Sequence, residues 1–428
     1  MLRSRGMSRR GFLRRGVAAA GALMVGRAWG APERPRPSNR LVVGCVGVGG
    51  QGTQNMQGFC SYPEVQVVAV CDVDRARRAS AKAKVDAFYG NQDCAAYNDF
   101  RDLVMRPDID IVVNATPDHW HAIPSIMAMK AGKDVYCEKP LGLTIAESRM
   151  MADVARRYGA VTQVGTWQRS IHRFQYAGQI VASGALGKVD VVRIGLPASP
   201  AHGPQPEMPV PEGFDYDMWL GQAPWEPYTQ ARCHGAFRFC FDYSGGSLCD
   251  WGAHHLDVGQ WYSGHSLSGP VAVDGKGEFP SEGVWNTAVQ YHIEYTYANG
   301  LKIIAGTDQE WGPKFYGEDG KWLRVTRDTL ETNPEHLRKA PLEPDDMREL
   351  WVSGDHLGNF LDCIRSRQET VVPFEVGHRS ITLCHLGNIS MRLGRKLAWD
   401  PGAERFVDDP EANKMLTRPA RSRWRVHT

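Results

Sequence analysis

The sequence predicts an α/β chain in two parts: an N-terminal doubly wound parallel sheet, then an α+β part on a largely antiparallel open sheet. Three observations predict it. The short apolar run Leu41 to Val46 opens directly into Gly47, Gly49 and Gly52, at G-x-G-x-x-G spacing. Strand-length apolar runs then alternate with helix-length segments to about residue 165, the pattern of a parallel sheet. Further on, Val289, Tyr291, Ile293, Tyr295 and Tyr297 alternate with polar residues and are followed by Asn299-Gly300, the mark of an antiparallel hairpin. With 428 residues, 42% of them hydrophobic, the chain is long enough for more than one core, and its composition excludes a disordered or disulfide-stapled protein.

Residues 1–30 hold seven arginines and no acid, so the formal charge of +2 conceals a body after Gly30 with 43 bases against 48 acids, a net −5. A mildly acidic body without a basic stripe argues against a nucleic-acid partner. Ser8-Arg9-Arg10-Gly11-Phe12-Leu13-Arg14 has the twin-arginine pattern, and the apolar run Gly16 to Val25 is about half the length that spans a bilayer. Ala28-Trp29-Gly30 offers small residues for a peptidase. Together they predict an export signal over 1–30, recognised by the twin-arginine machinery, and a periplasmic or secreted mature protein that spans no membrane. A linker over 31–40, a dinucleotide domain over 41–165, a substrate and oligomerisation domain over 166–400 and a tail over 401–428 complete the expected organisation. None of the ten cysteines forms a CxxC pair; most read as small buried hydrophobes, with a bridge among Cys233, Cys240 and Cys249 left open.

In the first part, the run Val65 to Cys71 predicts a second strand ending at Asp72, where a carboxylate meets the ribose hydroxyls of a bound dinucleotide. A helix from Arg75 to Phe88 follows, then strands at Ile109–Ala115, Asp134–Cys137 and Ala160–Val164. Helices are expected after Asp118 and from Thr144 to Tyr158, the latter opened by a Thr144/Glu147 capping box. Ligands of such sheets lie beyond the strands' carboxyl ends, which places Thr116-Pro117 and Glu138-Lys139-Pro140 at the site. Gly47, Gly49, Gly50, Gln51, Gly52, Asp72, Thr116, Pro117, His121, Glu138 and Lys139 are the candidate cofactor contacts. Asp72 favours NAD over NADP, although Arg75, Arg77 and Arg78 close behind leave NADP open. In the second part, six prolines over 197–211 predict an irregular excursion or lid. Strands are expected at 188–196, 271–279 and 322–326 besides the hairpin. An open sheet of this kind needs cover on its second face, which predicts a homo-oligomer.

Two clusters can carry chemistry. Lys139, at a strand end, can hydrogen-bond a substrate oxygen. Asp250 and His254 stand four apart, so on a helix they share a face and the carboxylate can orient the imidazole. His119, His121, His254, His255 and Asp257 do not make a metal site: adjacent histidines point apart on a helix and there is no HExxH or thiolate pair. No G-x-S-x-G elbow supports a serine hydrolase.

The glycine turn, Asp72, Ala115-Thr116-Pro117-Asp118-His119-Trp120-His121, Glu138-Lys139-Pro140 and Asp250-x-x-x-His254, in this order, resemble the Gfo/Idh/MocA oxidoreductases. The resemblance reaches the tail, where Trp399-Asp400-Pro401 and Arg418-Pro419-x-Arg421-x-x-Trp424 look like those of secreted members. It implies a Rossmann domain, a catalytic set of Lys139, Asp250 and His254, a cis Lys139–Pro140 bond, and oxidation of a sugar or cyclitol carbinol by a nicotinamide cofactor. Gln168, Arg169, Arg232, His234, Tyr243 and His255 are candidate substrate contacts. Export adds an expectation of its own: free NAD is scarce outside the cell, so the cofactor is expected to be tightly bound and restored in place, by a second substrate or by a redox-neutral cycle that cleaves a glycoside. A non-catalytic dinucleotide- or sugar-binding protein is the remaining alternative.

Overall fold

The computed structural model describes residues 40–339, 353–421 and 424; the arginine-rich segment expected to be an export signal lies outside them. The first sheet comprises β1 (Leu41–Val46), β2 (Val65–Cys71), β3 (Ala95–Tyr97), β4 (Ile111–Asn114), β5 (Asp134–Cys137) and β6 (Thr162–Val164). All pairings are parallel, in the order β3-β2-β1-β4-β5-β6. Helical connections cover both faces, so every residue of β4 and β5 is buried. The chain runs outward from β1 in one direction and restarts at β4 in the other, which opens a crevice at the carboxyl ends of β1 and β4.

The intervening helices begin where polar side chains satisfy their free amides. Asp74 accepts from the Ala76 and Arg77 amides to start Arg75–Tyr89, which Gly90 ends at φ +67°. Thr144 caps Ile145–Tyr158 by accepting from Glu147 N at 3.1 Å. The returning half of the expected capping box also involves Leu143, whose N–H donates to Glu147 Oε2 at 3.1 Å.

The second sheet has nine strands: β7 (Val191–Gly195), β8 (Ala272–Glu278), β9 (Gln290–Thr296), β10 (Lys302–Gly306), β11 (Gly312–Tyr316), β12 (Trp322–Val325), β13 (Leu330–Asn333), β14 (Leu397–Asp400) and β15 (Arg405–Phe406). Their order is β13-β12-β11-β7-β10-β9-β8-β14-β15, antiparallel except for the parallel pair β7/β10. The hairpin β9/β10 forms as expected, pairing Thr296 with Lys302. Tyr291, Ile293 and Tyr295 point into the core, which the helices Gly246–Tyr262 and Phe374–Leu393 complete. The other face of the sheet is polar, with ion pairs such as Lys302–Glu294 at 2.7 Å and Arg324–Glu331 at 2.7 Å.

Two segments of the second half return to the first sheet. The helix His356–Ser366 places Leu357, Phe360, Leu361 and Ile364 in one core with Val43, Met56, Phe59 and Tyr136. After the proline-rich stretch 197–211, which holds no regular element, residues 212–215 fasten to the end of β2: Arg75 N donates to Gly213 O at 2.9 Å, and Asp215 N donates to Val73 O at 3.0 Å. All ten cysteines are buried and unpaired, so no bridge joins Cys233, Cys240 and Cys249. Among the described residues no helix is long and apolar enough to cross a membrane.

Candidate active site

The glycine turn is built for close approach. Gly47 sits at φ +76°, a conformation costly for other residues, and a Cβ on Gly52 would lie 1.8 Å from Gly47 O. The helix Gly50–Cys60 thus tucks directly onto the turn, and no side chain caps its N-terminus, leaving its amides available to an anion. Asp72 stands beside it, accepting from Val48 N and Asp74 N at 3.0 Å each. Burial raises its pKa above the usual carboxylate value despite these bonds. These features fit the pyrophosphate and ribose of a dinucleotide.

They open into a cavity of about 420 Å³ lined by Gly47, Gly49, Gly50, Gln51, Gly52, Asp72, Thr116, Pro117, His121, Glu138 and Lys139. Its remaining walls come from the second half of the chain. Phe214, Met218, Trp219, His234, Phe237 and Arg238 line it as well, carried there by the segment fastened at Asp74 and by the bond from Asn98 Nδ2 to Asp215 Oδ2 at 2.8 Å. Arg77 also lines the cavity, next to Gly49.

Lys139 enters at the end of β5, preceding a cis peptide bond to Pro140. Its Nζ donates to Asp250 Oδ1 at 2.6 Å and to Asp250 O at 3.0 Å. Arg238 Nε reaches the same carboxylate oxygen at 3.2 Å. Burial pushes the Asp250 carboxyl up, but the two cations outweigh it and hold the pKa below the usual range. One helix, Gly246–Tyr262, presents both Asp250 and His254. The expectation that Asp250 orients His254 does not hold, because the carboxylate is taken by Lys139 and Arg238. His254 instead lies buried, with Nδ1 lacking a hydrogen-bond partner among the described residues. Burial first, then the charges of Lys139 and Arg327, drive its pKa well below the ordinary histidine value, so it is neutral at pH 7.

This arrangement coincides with two sequence matches: the NAD-binding Rossmann fold of an oxidoreductase family over residues 41–166, and that family's C-terminal alpha/beta domain over 202–426. The chain belongs to the Gfo/Idh/MocA oxidoreductase family. An alpha-N-acetylgalactosaminidase of Shewanella oneidensis is 38% identical over 122 residues, 27% of this chain and 26% of that protein. The first curated relatives are matched over about a quarter to two fifths of their length. Among solved structures, the WlbA dehydrogenase from Bordetella pertussis, in complex with NADH and UDP-GlcNAcA, has a TM-score of 0.62 at 18% identity, over 84% of this chain and 99% of that one. The aldose-aldose oxidoreductase from Caulobacter crescentus, complexed with glycerol, has a TM-score of 0.60 at 18% identity, over 84% and 99%. These two likenesses establish the fold.

Within this member of the Gfo/Idh/MocA family, the other predicted residues divide sharply. Glu138 is tied to Asn55 Nδ2 at 2.9 Å in the cavity wall. His121 also lines the cavity, but its ring nitrogens face Pro140 O at 2.6 Å and Thr116 O at 2.8 Å, so it braces two cavity loops and presents no free nitrogen to a cofactor. His234 lines the cavity at a strained φ of +55°. Gln168 is fully buried, with both amide atoms unpartnered among the described residues. The other candidate substrate contacts are engaged elsewhere. Arg169 forms a buried ion pair with Asp257 at 2.7 Å, and Arg232 pairs with Glu226 at 3.0 Å. Tyr243 packs on Trp219 and His119. His255 faces Gly195 O at 3.2 Å and packs edge-on against Trp311. Arg238, at no motif spacing, was not legible in the sequence, and Asp118, although inside the Ala115–His121 motif, was not marked there as a cavity residue. Burial raises the Asp118 pKa to about 7, although Ser244 Oγ donates to the carboxyl.

Proposed function

We propose that the protein is an NAD-dependent oxidoreductase acting on a carbinol of a sugar, glycoside or cyclitol, with the cofactor tightly held. The observation that carries the reading is the Lys139 ammonium, clamped on Asp250 in the wall of the cavity that the glycine turn opens. A bound nicotinamide dinucleotide supplies the hydride acceptor. Lys139 spends two of its three N–H donors on Asp250, leaving one for the carbinol oxygen. Arg238 shares the Asp250 carboxylate, so the three groups together carry one net positive charge, which favours oxygen as it becomes anionic. Neutral His254, near enough to Lys139 for that charge to lower its pKa, would accept the hydroxyl proton as the carbon gives its hydride to the dinucleotide, leaving a carbonyl.

Tight retention is supported by the segment from Phe214 to Arg238, which walls the cavity and is fastened at Asp74 and Asn98. The twin-arginine pattern at Ser8 to Arg14 supports export of the folded, loaded protein. A second reading draws on the alpha-N-acetylgalactosaminidase relative: the same groups would serve a redox-neutral cycle that cleaves a glycosidic bond.

The test is a purified Lys139→Ala variant with its dinucleotide content measured, assayed on sugars, glycosides and cyclitols. The expected outcome is retained cofactor and turnover reduced by about 10²–10⁴. Full turnover would sink the reading. With the native protein, net reduction of bound cofactor identifies the oxidoreductase, whereas cleaved product without net reduction identifies the second reading.

A further inference from the structure

A second cavity, of about 320 Å³, shares no lining residue with the first. Four charged side chains border it: Glu147 and Asp242 from the body, Lys414 and Arg418 from the C-terminal segment. Among the described residues none of the four lies within ion-pairing distance of an opposite charge, although ion pairs are common elsewhere on the protein. Glu147 accepts only backbone amides, among them Leu143 N, and Arg418 donates to Phe241 O while stacking on that ring. Gln222, 5% exposed, lines the same space with both Nε2 and Oε1 unpartnered among the described residues.

Burial is costly for Gln222, Glu147 and Arg418 unless something completes them, because a buried amide loses its water partners and a buried charge loses more, whereas Asp242 is half-buried and Lys414 lies exposed at the rim. Burial raises the Glu147 carboxyl to about 7 and lowers Arg418 to about 10, so the attraction between the two offsets only part of what burial costs each. A simple anion would relieve only the bases, and a simple cation only the acids. Relief of both requires opposite charges on one small molecule, and the Gln222 amide offers a donor to its anionic end and an acceptor to its cationic end. The volume is at the lower end of the range of ~300–1,000 Å³ for small-molecule sites.

We propose that this cavity binds a small zwitterion of the free amino-acid class, its carboxylate toward Arg418 and Lys414 and its ammonium toward Glu147 and Asp242. The site abuts the catalytic helix: Asn388, in its wall, donates through Nδ2 to Gly245 O at 3.1 Å, immediately before Gly246–Tyr262 begins.

The test is isothermal titration of the full, cofactor-loaded chain at pH 7 with glycine, L-leucine and L-glutamine. For each, the amide lacking the carboxylate and the carboxylic acid lacking the ammonium serve as controls. Saturable binding of at least one amino acid is expected, about tenfold or more weaker for both of its single-charge analogues. Gln222→Leu and Arg418→Gln are each expected to weaken it by about tenfold, with dinucleotide content unchanged. No saturable heat with any of the three, equal binding of a single-charge analogue, or affinity untouched by both variants would overturn the proposal. If a variant fails to fold, the analogue series on the native protein decides.

Discussion

Asp118 is buried in the cavity wall with one hydroxyl donor, and that is too little to keep its carboxyl in the ordinary range. It ionises near 3.8 in an unfolded chain and at about 7 in the fold. The folded state therefore binds the proton more tightly: the stability that Asp118 contributes is greatest below about pH 4, falls as the pH rises toward 7, and is level above. Asp118→Asn keeps an acceptor for Ser244 and removes the ionisation. The variant is expected to be more stable than the native protein by on the order of 2 kcal/mol at pH 8 and equal to it near pH 4. Denaturant unfolding at the two pH values measures the difference, and an equal effect at both would refute the account. Asp250 teaches a related lesson. Its spacing from His254 is visible in the sequence, but Lys139, 111 positions away, wins the carboxylate at 2.6 Å because an ammonium is a far stronger partner than a neutral imidazole.

At the scale of elements, the helix Gly246–Tyr262 is positioned from its far end. Asp257, with no solvent exposure, receives Arg169 Nε and Nη2 at 2.8 and 2.7 Å and the Ser380 hydroxyl at 2.5 Å. These bonds tie the helix to the turn at Trp167–Ser170 and to the helix Phe374–Leu393. Arg169→Ala leaves a buried carboxylate without its cation and is expected to cost about 3–5 kcal/mol in denaturant unfolding. Pairing Arg169→Met with Asp257→Leu should recover much of that, since neither buried charge then remains. A single variant as stable as the native protein would contradict the positioning role. The four-residue spacing of Asp250 and His254 suited this helix and strict alternation marked the β9/β10 hairpin, but periodicity was silent on β3, whose three residues are too few to show a period, and on Arg169, whose partner is 88 positions away.

Across the whole molecule, the order of the chain and the grouping of its cores differ. The helix His356–Ser366 completes the core of the first sheet, and its Phe360 ring meets those of Phe59 and Tyr136 at 6.3 and 5.9 Å. A fragment of residues 41–165 would expose the apolar surface that Leu357, Phe360, Leu361 and Ile364 cover. It is expected to aggregate or to lack a cooperative thermal transition. Adding a segment spanning 355–373 as a separate peptide should restore one; a fragment that melts cooperatively alone would show that the helix is dispensable.

The parallel first sheet, the glycine cradle with Asp72, the strand-end lysine and the hairpin were legible in the residues themselves, because each rests on a local spacing of about 2.0 or 3.6 residues or on a backbone conformation that glycine permits. Long-range packing, which no local spacing encodes, brings Arg238 to Lys139 on Asp250, walls the cofactor cavity with a segment of the second half, and gathers around a second cavity four charges with no ion-pair partner among the described residues. Those contacts join residues from distant parts of the chain, and no periodicity encodes which of many compatible side chains folding will bring together.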